Sequence, residues 1–158
     1  MQTSELDLPT MVSLAGPAVI QLLLSRMAAA GHQGVKPSHG YVIQRLVNEQ
    51  PTVGELAQSL GMTQQGASKQ VADLERLGYV ERVPDPRDQR IRIVRLTRAG
   101  RRLLESGREA RAELEREVTE RVGAANTAAA KVALTALIEL TEIEGHIASR
   151  SVPLPSST

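Results

Sequence analysis

The chain has 158 residues, with 19 basic against 18 acidic side chains for a net charge of +1, and no cysteine, phenylalanine or tryptophan. That length suits one domain, or one domain with an oligomerisation layer, built on an aliphatic core. The missing cysteines exclude structural disulfides, thiolate-held zinc and thiol-based redox sensing. No apolar run is expected to reach the roughly 18 residues of a membrane span. The opening "MQTSELDLPT" lacks the basic start of a secretory signal, so the expected setting is the cytoplasm.

The near-neutral total conceals a segregation. Between Met62 and Arg102 there are ten cationic and five anionic residues, so that segment carries +5 and the remainder −4. A basic patch on an otherwise acidic chain is an electrostatic footprint for a polyanion.

In chain order, "LAGPAVIQLLLSRMAAA" predicts a helix from Leu14 to Ala30, with Pro17 in its first turn or inside a longer helix beginning near Pro9. It is apolar on most sides and needs cover on more than one face. Ser38 then caps a second helix, "HGYVIQRLVNE", stopped by Pro51. Thr52 and Glu55 have capping-box spacing ahead of Leu56, Ala57 and Leu60. Gly61 turns the chain, and Thr63 caps "QQGASKQVADLERLG", whose Ala67, Val71, Leu74 and Leu77 recur at three and four residues. Two short helices around a tight glycine turn form a helix-turn-helix.

The period then changes. "YVERV" and "IRIVRL" read as strands flanking a long polar loop, "PDPRDQR". Thr97 caps a long helix with Leu103, Leu104, Ala110, Leu114, Val118 and Val122 on one stripe, broken at Gly123 and Asn126. A last helix runs from about Thr127 to Ser149, and "SVPLPSST" reads as a disordered tail. The fold class is mainly α with a small β-hairpin wing: a winged helix-turn-helix lobe within a helical frame.

The stretch from Thr52 to Leu104, and above all Asp85-Pro86-x-Asp88-x-Arg90 followed by Leu96-Thr97 and Gly100, resembles the DNA-binding lobe of the MarR family of bacterial transcription regulators. The resemblance implies a single domain over 1–150, with the lobe at 36–100, dimerisation helices at 8–32 and 101–149, and a tail at 151–158. It implies a homodimer that binds a pseudo-palindromic double-stranded operator in the cytoplasm, as a repressor released by a small-molecule effector and not as an enzyme. Arg90 would enter the minor groove, braced by Asp88, with Arg87 and Arg92 near phosphates. Gln64, Gln65, Ser68 and Lys69 would face the major groove, where Gln reads adenine edges and Lys meets guanine or phosphate. An effector cleft would be lined by Met27, His39, Tyr41, Val42 and Leu103.

No phosphate-cradling glycine loop or HExxH stands in the chain, and no cofactor is expected. His32 and His39, with Glu49, could be imagined as metal ligands, but a surface role for His39 in the first turn of its helix is the expectation, and no metal site is expected. The competing reading is a winged-helix module that binds protein or RNA.

Overall fold

A computed structural model describes residues 5–141. Expectations for the end of the last helix, with Ile143, His146 and Ile147, and for the tail at 151–158 lie outside the described residues. Within them the order is α1 (Leu8–Ala29), α2 (Pro37–Arg45), α3 (Val53–Ser59), α4 (Gln64–Arg76), β1 (Val80–Asp85), β2 (Asp88–Leu96), α5 (Arg98–Val122) and α6 (Ala124–Leu140).

The longer of the two alternatives for the first helix is the one adopted. The Asp7 carboxylate accepts the Thr10 N–H at 2.9 Å, Pro9 lies in the first turn, and Pro17 falls inside. At 22 residues, α1 is long and apolar enough by length and composition to cross a membrane, which corrects the expectation that no run reaches this size. The reason is visible in the sequence: its polar interruptions are small or uncharged, and no charge appears between Leu8 and Ser25. In this fold α1 packs against α5, where Arg26 forks onto Glu117 at 2.8 and 2.7 Å.

The second helix starts earlier than expected. Lys36 is its N-cap, Pro37 takes the first position, and His39 Nδ1 accepts the Lys36 N–H at 3.1 Å. Ser38, expected as the cap, instead donates its hydroxyl to Gln70 Oε1 of α4 at 3.1 Å. A proline fits the first helical turn because its missing N–H has no partner there anyway, and that moves the cap two residues back, from Ser38 to Lys36.

The helix-turn-helix forms as the spacing predicts. Thr52 and Glu55 cap α3 reciprocally, with Thr52 N–H donating to Glu55 Oε2 at 2.7 Å and Glu55 N–H to Thr52 Oγ1 at 3.2 Å. Gly61 turns with φ +62°, and Thr63 Oγ1 accepts the Gly66 N–H at the start of α4. Leu56, Ala67, Val71 and Leu74 are fully buried and join Val42, Leu60, Val80, Val94 and Leu103 in one core.

The hairpin is tighter than the composition suggests. Val80 pairs with Leu96 and Pro84 with Arg92, and the irregularity falls between Pro84 and Asp85, so only Pro86 and Arg87 connect the strands. The "PDPRDQR" run is therefore largely strand, not a long loop. A two-stranded ribbon is all edge, which is where a proline is tolerated. Val94 N–H also donates to Pro51 O at 2.8 Å, which fastens the ribbon to the start of the helix-turn-helix.

The last described helix begins at Ala124, three residues before its expected start. Asn126, read as a breaker, donates its side-chain amide to Val122 O at 2.9 Å and so closes the end of α5 across Gly123. In the single chain no residue of α1 or α6 is buried, and Leu14, Val132 and Leu140 are 61%, 70% and 80% exposed.

Candidate nucleic-acid interface

Helix α4 divides cleanly. Ala67, Val71 and Leu74 face the core, while Gln64, Gln65, Lys69 and Ala72 are exposed and Ser68 is half-buried. The expected outward set therefore shares one face near the helix start, with Ser68 at its edge.

At the wing tip, Arg90 projects with its side chain 94% exposed. Asp88 Oδ1 accepts the Arg90 N–H at 3.0 Å and lies 3.6 Å from Arg90 Nε, so one carboxylate fixes the turn and steadies the guanidinium. Arg87 is committed elsewhere. Its N–H, Nε and Nη2 all donate to the buried Asp85 carboxylate, at 2.8, 3.2 and 3.0 Å. The Arg87 guanidinium, with help from its backbone N–H, holds the Asp85 carboxyl below the usual carboxylate range. Arg95 is likewise paired, with Glu81 at 2.8 Å, whereas Arg92 is exposed on the outer strand.

Arg82 was not among the expected site residues. Its Nη2 donates to Ser68 O at 3.4 Å and its Nε lies 3.4 Å from Glu75 Oε2, so one guanidinium ties β1 to two turns of α4. The available signal was alternation: Arg82 lies two residues from the buried Val80 and shares its face of the strand.

Helix α2 is joined to α4 by the Ser38–Gln70 bond and by Lys36 Nζ against Asp73 Oδ2 at 2.7 Å. Lys36 is the main reason the Asp73 carboxyl titrates low. His39 corrects the sequence reading. It is fully buried, not a surface group, because the Lys36 N–H turns its ring inward. With Nδ1 accepting, the neutral ring carries its proton on Nε2, which faces Asp73 Oδ2 at 3.9 Å, beyond hydrogen-bond reach. Burial, then the Lys36 charge, push the His39 imidazole below its usual value.

The folded state therefore resists a proton that the unfolded chain accepts near pH 6.5. Stability is full above that value and falls as pH drops below it, ahead of the window in which Asp73, Asp85, Glu55 and Glu117 take up protons. Urea midpoints between pH 7 and pH 5 should decline in the wild type, and the decline should flatten in His39→Gln. Equal slopes would refute this role.

A cleft of about 210 Å³ lies between α1, α2 and α5. Met27 and Leu103 line it as expected, but His39, Tyr41 and Val42 are not among its lining residues. Helical spacing explains the difference: Gly40, Ile43 and Gln44 share the face of α2 toward the cleft, while His39 and Val42 share the other. Lys36, Leu104, Gly107 and Arg111 complete walls that the sequence did not single out. Among the described residues no cluster of three histidine or acidic side chains suited to a metal ion occurs.

The family model described as the MarR family matches residues 33–91, which hold α2, the helix-turn-helix and most of the hairpin. That stretch is similar to the MarR family. The matched family is one of DNA-binding transcription regulators. A curated relative, the transcriptional activatory protein BadR of Rhodopseudomonas palustris, is 41% identical over 54 residues, 34% of this chain and 31% of its own length. The match thus spans about a third of BadR. Solved structures agree in fold over most of the chain. The reduced form of MarR from E. coli aligns with TM-score 0.67 at 21% identity, covering 84% of this chain and 97% of that one. The S. aureus MepR–DNA complex aligns with TM-score 0.66 at 20% identity, covering 85% and 98%. Transcriptional regulator Tm0710 from Thermotoga maritima gives 0.61 at 23%, covering 89% and 96%.

Proposed function

We propose that this protein is a MarR-family, sequence-specific regulator that binds double-stranded DNA as a two-fold homodimer in the cytoplasm, represses transcription, and is released by a small-molecule effector. The observation that carries the reading is the joint presentation of two elements from one core. The exposed Gln64, Gln65 and Lys69 face of α4 has the width and chemistry for a major groove. The thin wing tip extends Arg90 toward an adjoining minor groove, and Arg82 locks the two in fixed relation. A relative of the same fold, MepR, is described in complex with DNA.

The domain division follows: a DNA-binding lobe over 36–100 carried on dimerisation helices at 8–32 and 101–149. The apolar residues left uncovered on α1 and α6 need a second surface, and a second copy supplies it. Lys36 offers a route for release, since it lines the cleft and also holds Asp73 of α4.

The test is a footprint on the gene's own upstream region, with binding measured over a salt series and oligomeric state by sedimentation. The expected result is a dimer protecting two half-sites about 10 bp apart centre to centre, with affinity falling steeply as salt rises. A stable monomer at micromolar concentration, or preferential capture of RNA or protein over DNA, would overturn the reading.

A further inference from the structure

Ile91 stands beside Arg90 on the wing, and we infer that it is a specificity-determining residue, an apolar plug against the minor groove that rejects base pairs carrying the exocyclic amino group of guanine. The inference deepens the DNA-binding reading and rests on it.

The first observation is where the exposed apolar side chains fall. Among the described residues, Ile91 is 42% exposed, and every other large hydrophobic left exposed belongs to α1, α5 or α6. Those helices carry the faces that a second copy would cover. The whole DNA-binding lobe otherwise keeps its large aliphatic groups covered, and Ile93, two residues on, is 6% exposed. A single exposed aliphatic residue is ordinary on a protein surface. Its place is what assigns it.

The second observation is that place. The strand pairing passes from Pro84–Arg92 directly to Asp85–Asp88, so Gln89, Arg90 and Ile91 have no register partner on β1. Extra residues in one strand of a ribbon bend it and re-aim its side chains. The Arg90 N–H is spent on Asp88 Oδ1 at 3.0 Å rather than on the ladder. Ile91 therefore leaves the ribbon in the same irregular segment as Arg90, with the exposed Arg92 on its other side. Two cations bracket it, and a surface that draws them to phosphates brings the isoleucine with them.

The chemistry then divides between neighbours. In the minor groove an A·T pair shows only acceptors, adenine N3 and thymine O2, whereas G·C adds the guanine amino donor. Arg90 has donors for the acceptors. Ile91 has no acceptor for the amino group, so a guanine beneath it would lose water and gain no partner. Discrimination of this kind works by penalising the wrong base. It differs from the attraction of Arg90 to a narrow groove, which is electrostatic and falls with salt.

The test uses the footprinted upstream site in four versions, with the flanking pairs as A·T, G·C, inosine·C or diaminopurine·T. Inosine·C lacks the amino group and diaminopurine·T carries it, so the pair swaps groove chemistry without swapping the base pair's class. By fluorescence anisotropy, wild type should bind the A·T and inosine·C duplexes alike and the other two about fivefold more weakly or beyond. Ile91→Asn gives the amino group an amide oxygen, and its ratio should fall to about twofold or less, as should that of Ile91→Ala. Both variants keep every cation, so their salt slopes should match wild type, while Arg90→Ala should lower the slope by about one. Thermal melting should match wild type for an exposed site. A wild type indifferent to the amino group, or a ratio that survives in both Ile91 variants, would overturn the assignment. So would a reduced salt slope in those variants, which would mean that the wing itself had moved. Failure to bind any of the duplexes would remove the DNA reading and this inference with it, whereas binding without discrimination removes the inference alone.

Discussion

Arg90→Ala should weaken binding to the specific site by roughly 1–3 kcal/mol, and Asp88→Ala should weaken it as well. The two substitutions are paired because simple electrostatics assigns them opposite signs: deleting a carboxylate beside a polyanion ought to help. The structure gives Asp88 a different task. Its Oδ1 accepts the Arg90 backbone N–H and lies 3.6 Å from Arg90 Nε, so it fixes both the turn and the direction of the guanidinium. Losing it frees Arg90 to wander and raises the entropy lost on docking. The effect of Arg90→Ala should be largest on sites with A·T-rich flanks, where the minor groove is narrow. Fluorescence anisotropy on operators that differ only in those flanks reads this directly. Tighter binding by Asp88→Ala together with no change for Arg90→Ala would show that the hairpin is not a DNA-reading wing.

Gly100→Ala should destabilise the fold by at least about 3 kcal/mol, at the upper end of what overpacking costs, although alanine is the better helix former by about 1 kcal/mol. Gly100 lies in the first turn of α5, and an added side-chain carbon would sit 2.1 Å from Tyr79 O. That oxygen is backbone and cannot rotate away. It also accepts the Thr97 N–H at 3.0 Å, so displacing it breaks the junction of hairpin and helix. Gly54→Ala is the control: its nearest neighbour would be Thr52 Oγ1 at 3.9 Å, and there the propensity gain should appear as a modest stabilisation. Urea denaturation separates the two, and a Gly100→Ala midpoint at or above wild type would refute the argument.

Elements governed by local chemistry were legible before the fold was known. Thr52 with Glu55, Thr63 and Thr97 each announce a helix start because a hydroxyl three residues ahead of an orphan amide is a purely local arrangement. The spacing of Ala67, Val71 and Leu74 was enough to divide α4 into two faces. What stayed hidden depends on the opposite partner. The Lys36 N–H that turns the His39 ring is local, but nothing near His39 in sequence says that α4, more than thirty residues away, will cover that side of the helix. The cleft lining was half missed for the same reason, since choosing between the two faces of α2 requires knowing that α1 and α5 lie on one and α4 on the other. Arg87 and Arg90 both project from the hairpin beside an aspartate, and what the sequence did not show is that the partner of Arg87, Asp85, is buried while that of Arg90 is not.

Helix α5 is unbroken from Arg98 to Val122, with Leu103 in the core at one end and Val118 and Val122 exposed at the other. Its 25 residues make a rod of about 37 Å at 1.5 Å each. A rod of that length is a lever: tilting it by about ten degrees at the Val122 end carries the Arg98 end through about 6 Å. Successive phosphates along a strand advance by about 3.4 Å, so so small an angle shifts the lobe by nearly two base pairs of register. If the lobe binds DNA as proposed, the protein need not unfold or refold anything to change which bases it can reach.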